Sequence, residues 1–292
     1  MTSTAHSEFG KLKQVFLKSP EDAFRDQSVL AKQWQSHNFL KLPDFFRCKA
    51  EHEHFKKILT TAGAEVLNFP ADASVSIDSI YCRDASIQTD RGVIICNMGK
   101  ELRKMEPVAC KKRYEALGIK VLGVIEAPGT IEGGDVAWLD QHTLAVAHAY
   151  RTNQSGIEQL RQLVKPMGVT VIEVDLPHFR GAGDVFHLMS IISPVDKDLA
   201  VVYSPLMPVR FRNLLLDSGF ELIEVPENEF DSLGCNVLAI APRVCMVEQG
   251  NPETIRRIKQ AGCQVITFDG SNICVPGGGG PTCLTRPVSR EI

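Results

Sequence analysis

Side chains able to do chemistry recur along the chain at intervals of about fifty residues. The clusters are Cys82-Arg83-Asp84, Glu132-Gly133-Gly134-Asp135, the stretch from Asp184 to His187, Cys235-Asn236, and Thr282-Cys283. A thiol, an imidazole and carboxylates brought into one cleft form the constellation of covalent catalysis on an electrophilic carbon. The last cluster follows four consecutive glycines, Gly277 to Gly280. Glycine loses the most backbone freedom on folding, so such a run is expected where a loop moves, turns tightly or approaches a ligand. A loop of this kind delivering a thiol onto a strand suits a nucleophile. The competing reading is a buried structural cysteine at the end of a flexible tail.

The elements that would position these clusters also repeat. Helical stretches end at Gly63, Gly118, Gly168, Gly219 and Gly262, and an apolar strand follows each at once. Glycine there suits a left-handed C-cap that turns a helix back onto a sheet. Successive glycines are 55, 50, 51 and 43 positions apart. Each unit also carries a candidate hairpin: Ser86–Thr89 with Val93–Cys96, Val136–Leu139 with Thr143–Val146, Met189–Ile192 with Leu199–Val202, and Val237–Ile240 with Val244–Val247. Their turns have the Asp, Gly and Pro content that hairpins require. A fifth hairpin is expected to be split between the termini, Cys283–Thr285 pairing with Gln14–Leu17. This closure predicts an α/β ring of five ββαβ units around a central pocket, with residues 1–292 forming one domain.

Composition narrows the class. The chain has 292 residues, 44% hydrophobic and 23% charged, with net charge −3 and no basic block. Nothing in it asks for nucleic acid. No apolar run approaches the roughly 18 residues of a membrane helix, and no signal peptide precedes the first helix. Nine scattered cysteines without a C-x-x-C pair argue against a disulfide framework or a zinc site. The reading is a cytoplasmic protein with no membrane partner. A homo-oligomer is compatible with the sequence. His52 and His54, on a charged helical stretch, are expected to face solvent. Gly277–Gly280 is no phosphate loop, because no Gly-Lys-Ser/Thr follows.

In this order, five features resemble the guanidine-modifying (pentein) superfamily: Arg83-Asp84, Ile131–Asp135 (I-E-G-G-D), Ala149–Asn153 (A-Y-R-T-N), His187-Leu188, and the glycine-rich loop to Cys283. The superfamily includes arginine deiminases, amidinotransferases and dimethylarginine dimethylaminohydrolases, and the chain looks most like the last group. The resemblance implies a five-bladed α/β propeller and hydrolysis of a guanidine C–N bond. A methylated arginine would give citrulline and an amine through a covalent Cys283 adduct, without metal or cofactor. It implies Cys283 as nucleophile, with a lowered thiol pKa or with activation by the cationic substrate. His187 would be acid then base, and Glu132 would orient and charge His187 or hold the guanidinium. Asp84 would pair with the guanidinium, Arg103 and Arg151 with the substrate's α-carboxylate, and Asp78 with its α-amino group. Asp135 joins the substrate-binding set, with a turn cap as its alternative, and Asn236 either lines the pocket or caps a strand.

Arginine deiminases place an aspartate two positions after the histidine, and Met189 stands there instead. Dimethylaminohydrolases often carry an acidic residue where Arg83 stands, so the substituent on the guanidine is left open. Arginine deimination, amidino transfer and a non-catalytic binding role on the same ring are the alternatives. Gly277–Gly280 is expected to act as a lid.

Overall fold

The computed structural model describes residues 2–292. The five glycines that end the helical stretches all have positive φ, between 70° and 89°. In that left-handed conformation a Cβ would crowd the next carbonyl, so glycine is the residue that reverses the chain without strain. Each reversal feeds a strand that pairs in parallel with the strand before its helix. Five units result, each a small separate sheet.

The first internal unit pairs Ser86–Thr89 with Gly92–Ile95 antiparallel, then adds Val121–Val124 in parallel after helix Glu106–Ala116. The next three repeat this order. Their strands are Val136–Trp138, Thr143–His148 and Thr170–Asp175; Ile192–Asp196, Leu199–Val202 and Glu221–Glu224; and Leu238–Ala241, Val244–Glu248 and Gln264–Phe268. The fifth unit is shared between the two ends of the chain. Arg286–Glu291 pairs antiparallel with Lys11–Leu17, which pairs in parallel with Glu65–Asn68 after helix Phe45–Thr61.

Burial follows strand order. Ser86–Thr89 and Val136–Trp138 are buried at every position, whereas the third strands, such as Glu65–Asn68, are half exposed. The first strands therefore form the inner wall and the helices the outer one. Helix Gln154–Val164 shows how the outer layer docks. Ile157, Leu160 and Val164 make one buried stripe at helical spacing, and the Asn153 side chain caps the first turn. Among the described residues no helix is long and apolar enough to cross a membrane.

Three expectations are corrected. The fifth hairpin does not use Cys283–Thr285, because its strand starts at Arg286. Leu284 N–H donates to Gly280 O and Thr285 N–H to Thr282 O, so these groups close a turn and are not free for the ladder. The third hairpin begins at Ile192 rather than Met189, because Leu188–Ser190 is a short turn of helix. His52 is 3% exposed. It lies on the inward stripe of its helix with Cys48, Phe55 and Leu59, and only His54 faces out.

Candidate active site

The segment just before each first strand carries one polar side chain toward a common centre: Asp84, Glu132, His187, Asn236 and Cys283. Residues about fifty apart in sequence are thereby neighbours. Asp84, Glu132 and His187 present oxygen and nitrogen atoms that all lie within 4.8 Å of one another. His187, Asn236 and Cys283 open onto a cavity of about 280 Å³, whose other walls include Asp78, Arg151 and Met189.

Cys283 sits in the turn closed by Gly280 and Thr285, partly exposed to that cavity. Asn236 Nδ2 donates to its Sγ at 3.2 Å, while Asn236 Oδ1 accepts from Thr282 N (3.0 Å) and Thr282 Oγ1 (2.8 Å). One amide thus fixes both the turn and the sulfur. Burial, then the Asp84 charge, pushes the Cys283 thiol up, against the hydrogen bonds from Asn236 and Thr282. Of the two expected routes to a nucleophile, a thiol pKa lowered in the free protein is therefore not the one built here.

The glycines before it are held by close packing. A side chain at Gly277 would strike the Tyr81 hydroxyl, one at Gly279 the Tyr81 ring, and one at Gly280 would come 2.5 Å from Asn236 Oδ1. Gly278 adds the left-handed φ of 71°. Glu51 anchors the start of the loop by accepting from the Asn272 N–H (3.0 Å) and the Ile273 N–H (2.8 Å). The loop is a packed wall of the cavity, which argues against the expected lid.

His187 Nε2 is 2.9 Å from Glu132 Oε2, and its Nδ1 is 4.0 Å from Asp84 Oδ1. Burial alone would favour the neutral ring, but the charges of Asp135, Asp84 and Glu132 outweigh it and raise the pKa to about 9. These carboxylates favour the protonated ring. Glu132 is fully buried, yet the hydrogen bond and charge of His187, with the charge of Arg151, hold it below the usual carboxylate range. Gly134 makes this meeting possible, since a Cβ there would land on His187 Nδ1 and 2.8 Å from Asp84 Oδ1.

Asp84 Oδ2 accepts from Arg103 Nη1 at 2.5 Å, while its buried Oδ1 has no hydrogen-bond partner. An unpartnered buried carboxylate oxygen is an acceptor waiting for a donor. Arg103 corrects an expectation. Its guanidinium already bonds Asp84, Glu106 (2.9 and 2.8 Å) and the Tyr81 carbonyl (3.0 Å), so its fork positions Asp84 and is not open to a ligand carboxylate. Arg151 is held more loosely, with Nη1 at 3.4 Å from Glu132 Oε2 and Nη2 at 3.2 Å from Asp184 O. It also lines the cavity.

Asp78 lines the cavity. Its Oδ2 is 3.0 Å from His37 Nδ1 and 2.6 Å from Lys100 Nζ. Against its burial, the His37 hydrogen bond and the charges of Arg103 and Lys100 hold it down at about 2. Asp135 is a second correction. Its oxygens accept from Thr152 Oγ1 (2.7 Å) and Leu188 N (3.1 Å), and it lies outside the cavity wall. It is a strut that sets the His187-Leu188 turn, and burial raises its pKa to about 6. Sequence reasoning did not find His37 or Lys100, which lie in the connections after strands Lys11–Leu17 and Gly92–Ile95. Gly134 belongs to the Glu132–Asp135 cluster read from the sequence.

A ring of five ββαβ units gathering a thiol, an imidazole and carboxylates at one centre defines the guanidine-modifying pentein class. Between residues 30 and 290 the chain matches the family described as N,N dimethylarginine dimethylhydrolase, eukaryotic, and it belongs to that family. Its members hydrolyse C–N bonds of linear amidines, and this chain is such a hydrolase. Among relatives, an uncharacterised protein of Bacillus subtilis (strain 168), YkgA, is 25% identical over 290 residues, covering 99% of this chain and 96% of the relative. The dimethylarginine dimethylaminohydrolase of Pseudomonas aeruginosa is 27% identical over 237 residues, covering 81% and 87%. The solved structure of a Pseudomonas aeruginosa dimethylarginine dimethylaminohydrolase complexed with citrulline has the same fold. Its TM-score is 0.75 at 22% identity, over 96% of this chain and 99% of that one.

Proposed function

We propose that the chain, acting as one catalytic domain, hydrolyses methylated arginine to citrulline and the methylated amine. The observation that carries this reading is the unpartnered Asp84 Oδ1, buried beside His187. A planar guanidinium supplies the N–H donors that such an oxygen lacks. The bound cation also lowers the thiol pKa by proximity, so substrate creates its own nucleophile as the thiol proton leaves to solvent.

The Cys283 thiolate then attacks the guanidinium carbon and a C–S bond forms. His187, already protonated, gives its proton to the departing amine as the C–N bond breaks. The neutral imidazole next takes a proton from water, which attacks the same carbon. The C–S bond then breaks as the C=O forms and the hydroxyl proton passes to solvent; citrulline leaves, and thiolate and imidazolium are restored. Glu132 holds the imidazole in place through both steps. Arg151 faces the substrate's α-carboxylate and Asp78 its α-amino group. Met189, two positions after His187, lines the cavity. A thioether there tolerates methyl groups that a carboxylate gripping the second nitrogen would exclude.

The test is incubation with mono- and dimethylarginine, arginine and simple guanidines, measuring ureido product and identifying the amine. Citrulline with methylamine or dimethylamine is expected, and none from Cys283→Ser. Ammonia from arginine alone, or an amidino group transferred to an added amine, would replace this reading.

A further inference from the structure

Arg83 precedes Asp84 directly, yet its side chain takes no part in the substrate cavity. It is 1% exposed and turns toward two other buried arginines, Arg286 and Arg290, at 6% and 1%. Glu8 is the carboxylate in this group, 2.7 Å from Arg83 Nη2. All three cations act on Glu8, and Arg83 and Arg286 act on Arg290, so the four groups share one electrostatic neighbourhood. Among the described residues Arg286 and Arg290 have no acidic partner within 4 Å. Their bonds go to main-chain carbonyls: Arg286 Nη2 to Arg83 O at 2.8 Å, and Arg290 Nη1 to Gly10 O and Ala239 O, both at 2.7 Å.

Two features of the cluster go unexplained by the hydrolase. The first is charge: three guanidinium cations stand against one carboxylate. Arginine does not escape by losing its proton near neutral pH. Arg290 is pulled down by burial only to about 10. Uncompensated buried charge is among the most costly features a fold can hold. The second is hydrogen bonding. Nε and Nη1 of Arg83, Nε of Arg286, and Nε and Nη2 of Arg290 are buried donors without a protein acceptor. Water would accept from them but would leave the charge in place. An anion answers both.

We propose that Arg83, Arg286 and Arg290 form a binding site for a small monovalent inorganic anion of the halide class. Side chains this deeply buried suit a compact ion that sheds its water readily, rather than sulfate or phosphate. The anion ties the two ends of the chain to the catalytic turns. Arg83 N–H donates to Cys283 O at 3.2 Å, and Arg286, three residues beyond Cys283, holds Arg83 O. Its effect is read as stability, whatever guanidine the enzyme takes.

The probes are chloride and bromide. At fixed ionic strength, exchanging gluconate for chloride raises the thermal midpoint, by about 2 °C per tenfold increase once chloride exceeds its dissociation constant. Crystals grown in bromide show anomalous density within hydrogen-bonding range of at least two of the three guanidiniums. Glu8→Gln removes the competing carboxylate and tightens chloride binding about tenfold, whereas Arg83→Met abolishes the chloride dependence. Equal midpoints in the two salts, or bromide found only at the surface, overturn the proposal. If Arg83→Met fails to fold, the bromide crystal of the unaltered protein decides alone.

Discussion

His187 Nε2 and Glu132 Oε2 are 2.9 Å apart, a buried ion pair between turns that lie 55 residues apart in sequence. The imidazole owes its charge to this carboxylate together with Asp135 and Asp84, which raise its pKa to about 9. Glu132→Gln keeps the shape and removes a charge. The expected result is a loss of about 10²–10³ in kcat at pH 8, because less of the ring carries the proton the leaving amine needs. The alkaline limb of the kcat profile should also move to lower pH. A limb that stays in place at reduced height would show that Glu132 does not set the His187 charge.

The same pair links stability to pH. The folded value of His187, about 9, lies above 6.5, so its contribution is whole below pH 6.5 and is lost as pH rises through 9. Glu132 is held below 4.5, so its contribution is present above pH 4.5 and is lost in more acid solution. The stability difference between the unaltered protein and Glu132→Gln should therefore be largest between pH 4.5 and 6.5 and narrow toward pH 10. Urea unfolding of both proteins across that range measures it. A difference that grows with pH would contradict the ion pair.

A raised Cys283 thiol makes the free enzyme a poor nucleophile. Alkylation by iodoacetamide should be slow at pH 7 and climb through a midpoint above that of an ordinary thiol. A guanidinium ligand too short to fill the cavity should lower that midpoint by placing a cation beside the sulfur. The other eight cysteines are buried, and mass spectrometry identifies which thiol is labelled. Rapid labelling at pH 7 without ligand would return the thiol to the pre-ionised class.

Much of the fold and site is legible in the sequence, and the limits have physical causes. The five C-cap glycines marked the repeat because φ near 70–89° admits little else. Once the ring was inferred, cyclic symmetry placed Asp84, Glu132, His187, Asn236 and Cys283 at one centre. Partner choice was not readable. Whether Arg103 meets a ligand or Asp84 and Glu106 depends on distances that spacing does not encode. The motif groups Asp135 with the substrate residues because its neighbours Glu132 and Gly134 lie at the site. Its side chain bonds Thr152 and Leu188 N instead. His52 misled because a charged segment hid an inward stripe with helical period.

Gly134 supplies a steric test. A Cβ there would land on His187 Nδ1 and within 2.8 Å of Asp84 Oδ1, so Gly134→Ala must displace the imidazole, the carboxylate or the turn between them. A displacement of about 1 Å in a catalytic constellation is enough for a loss near 10² in rate. The expected outcome is a fall in kcat of that order with a cooperative thermal transition retained. Unchanged kcat would mean that the close approach of His187 to Gly134 is not needed for turnover.

Arg103 and Arg151 both border the cavity, but they differ in what holds them, and the two should fail differently. Arg103 carries charge-assisted bonds to Asp84 and Glu106, all three side chains being buried. Removing it as Arg103→Ala leaves two carboxylates without their cation, a change that costs about 3–5 kcal/mol in buried pairs. The thermal midpoint should fall markedly and activity should go with it. Arg151 has longer contacts to Glu132 and Asp184. Arg151→Lys keeps the charge and loses the fork that grips a carboxylate. Here KM should rise about tenfold or more for amino-acid substrates and little for a simple alkylguanidine, while the midpoint moves slightly. A KM increase of the same size for both substrates would show that Arg151 serves the reacting centre rather than the far end of the substrate. A KM effect in Arg103→Lys with stability intact would give that role to Arg103 after all.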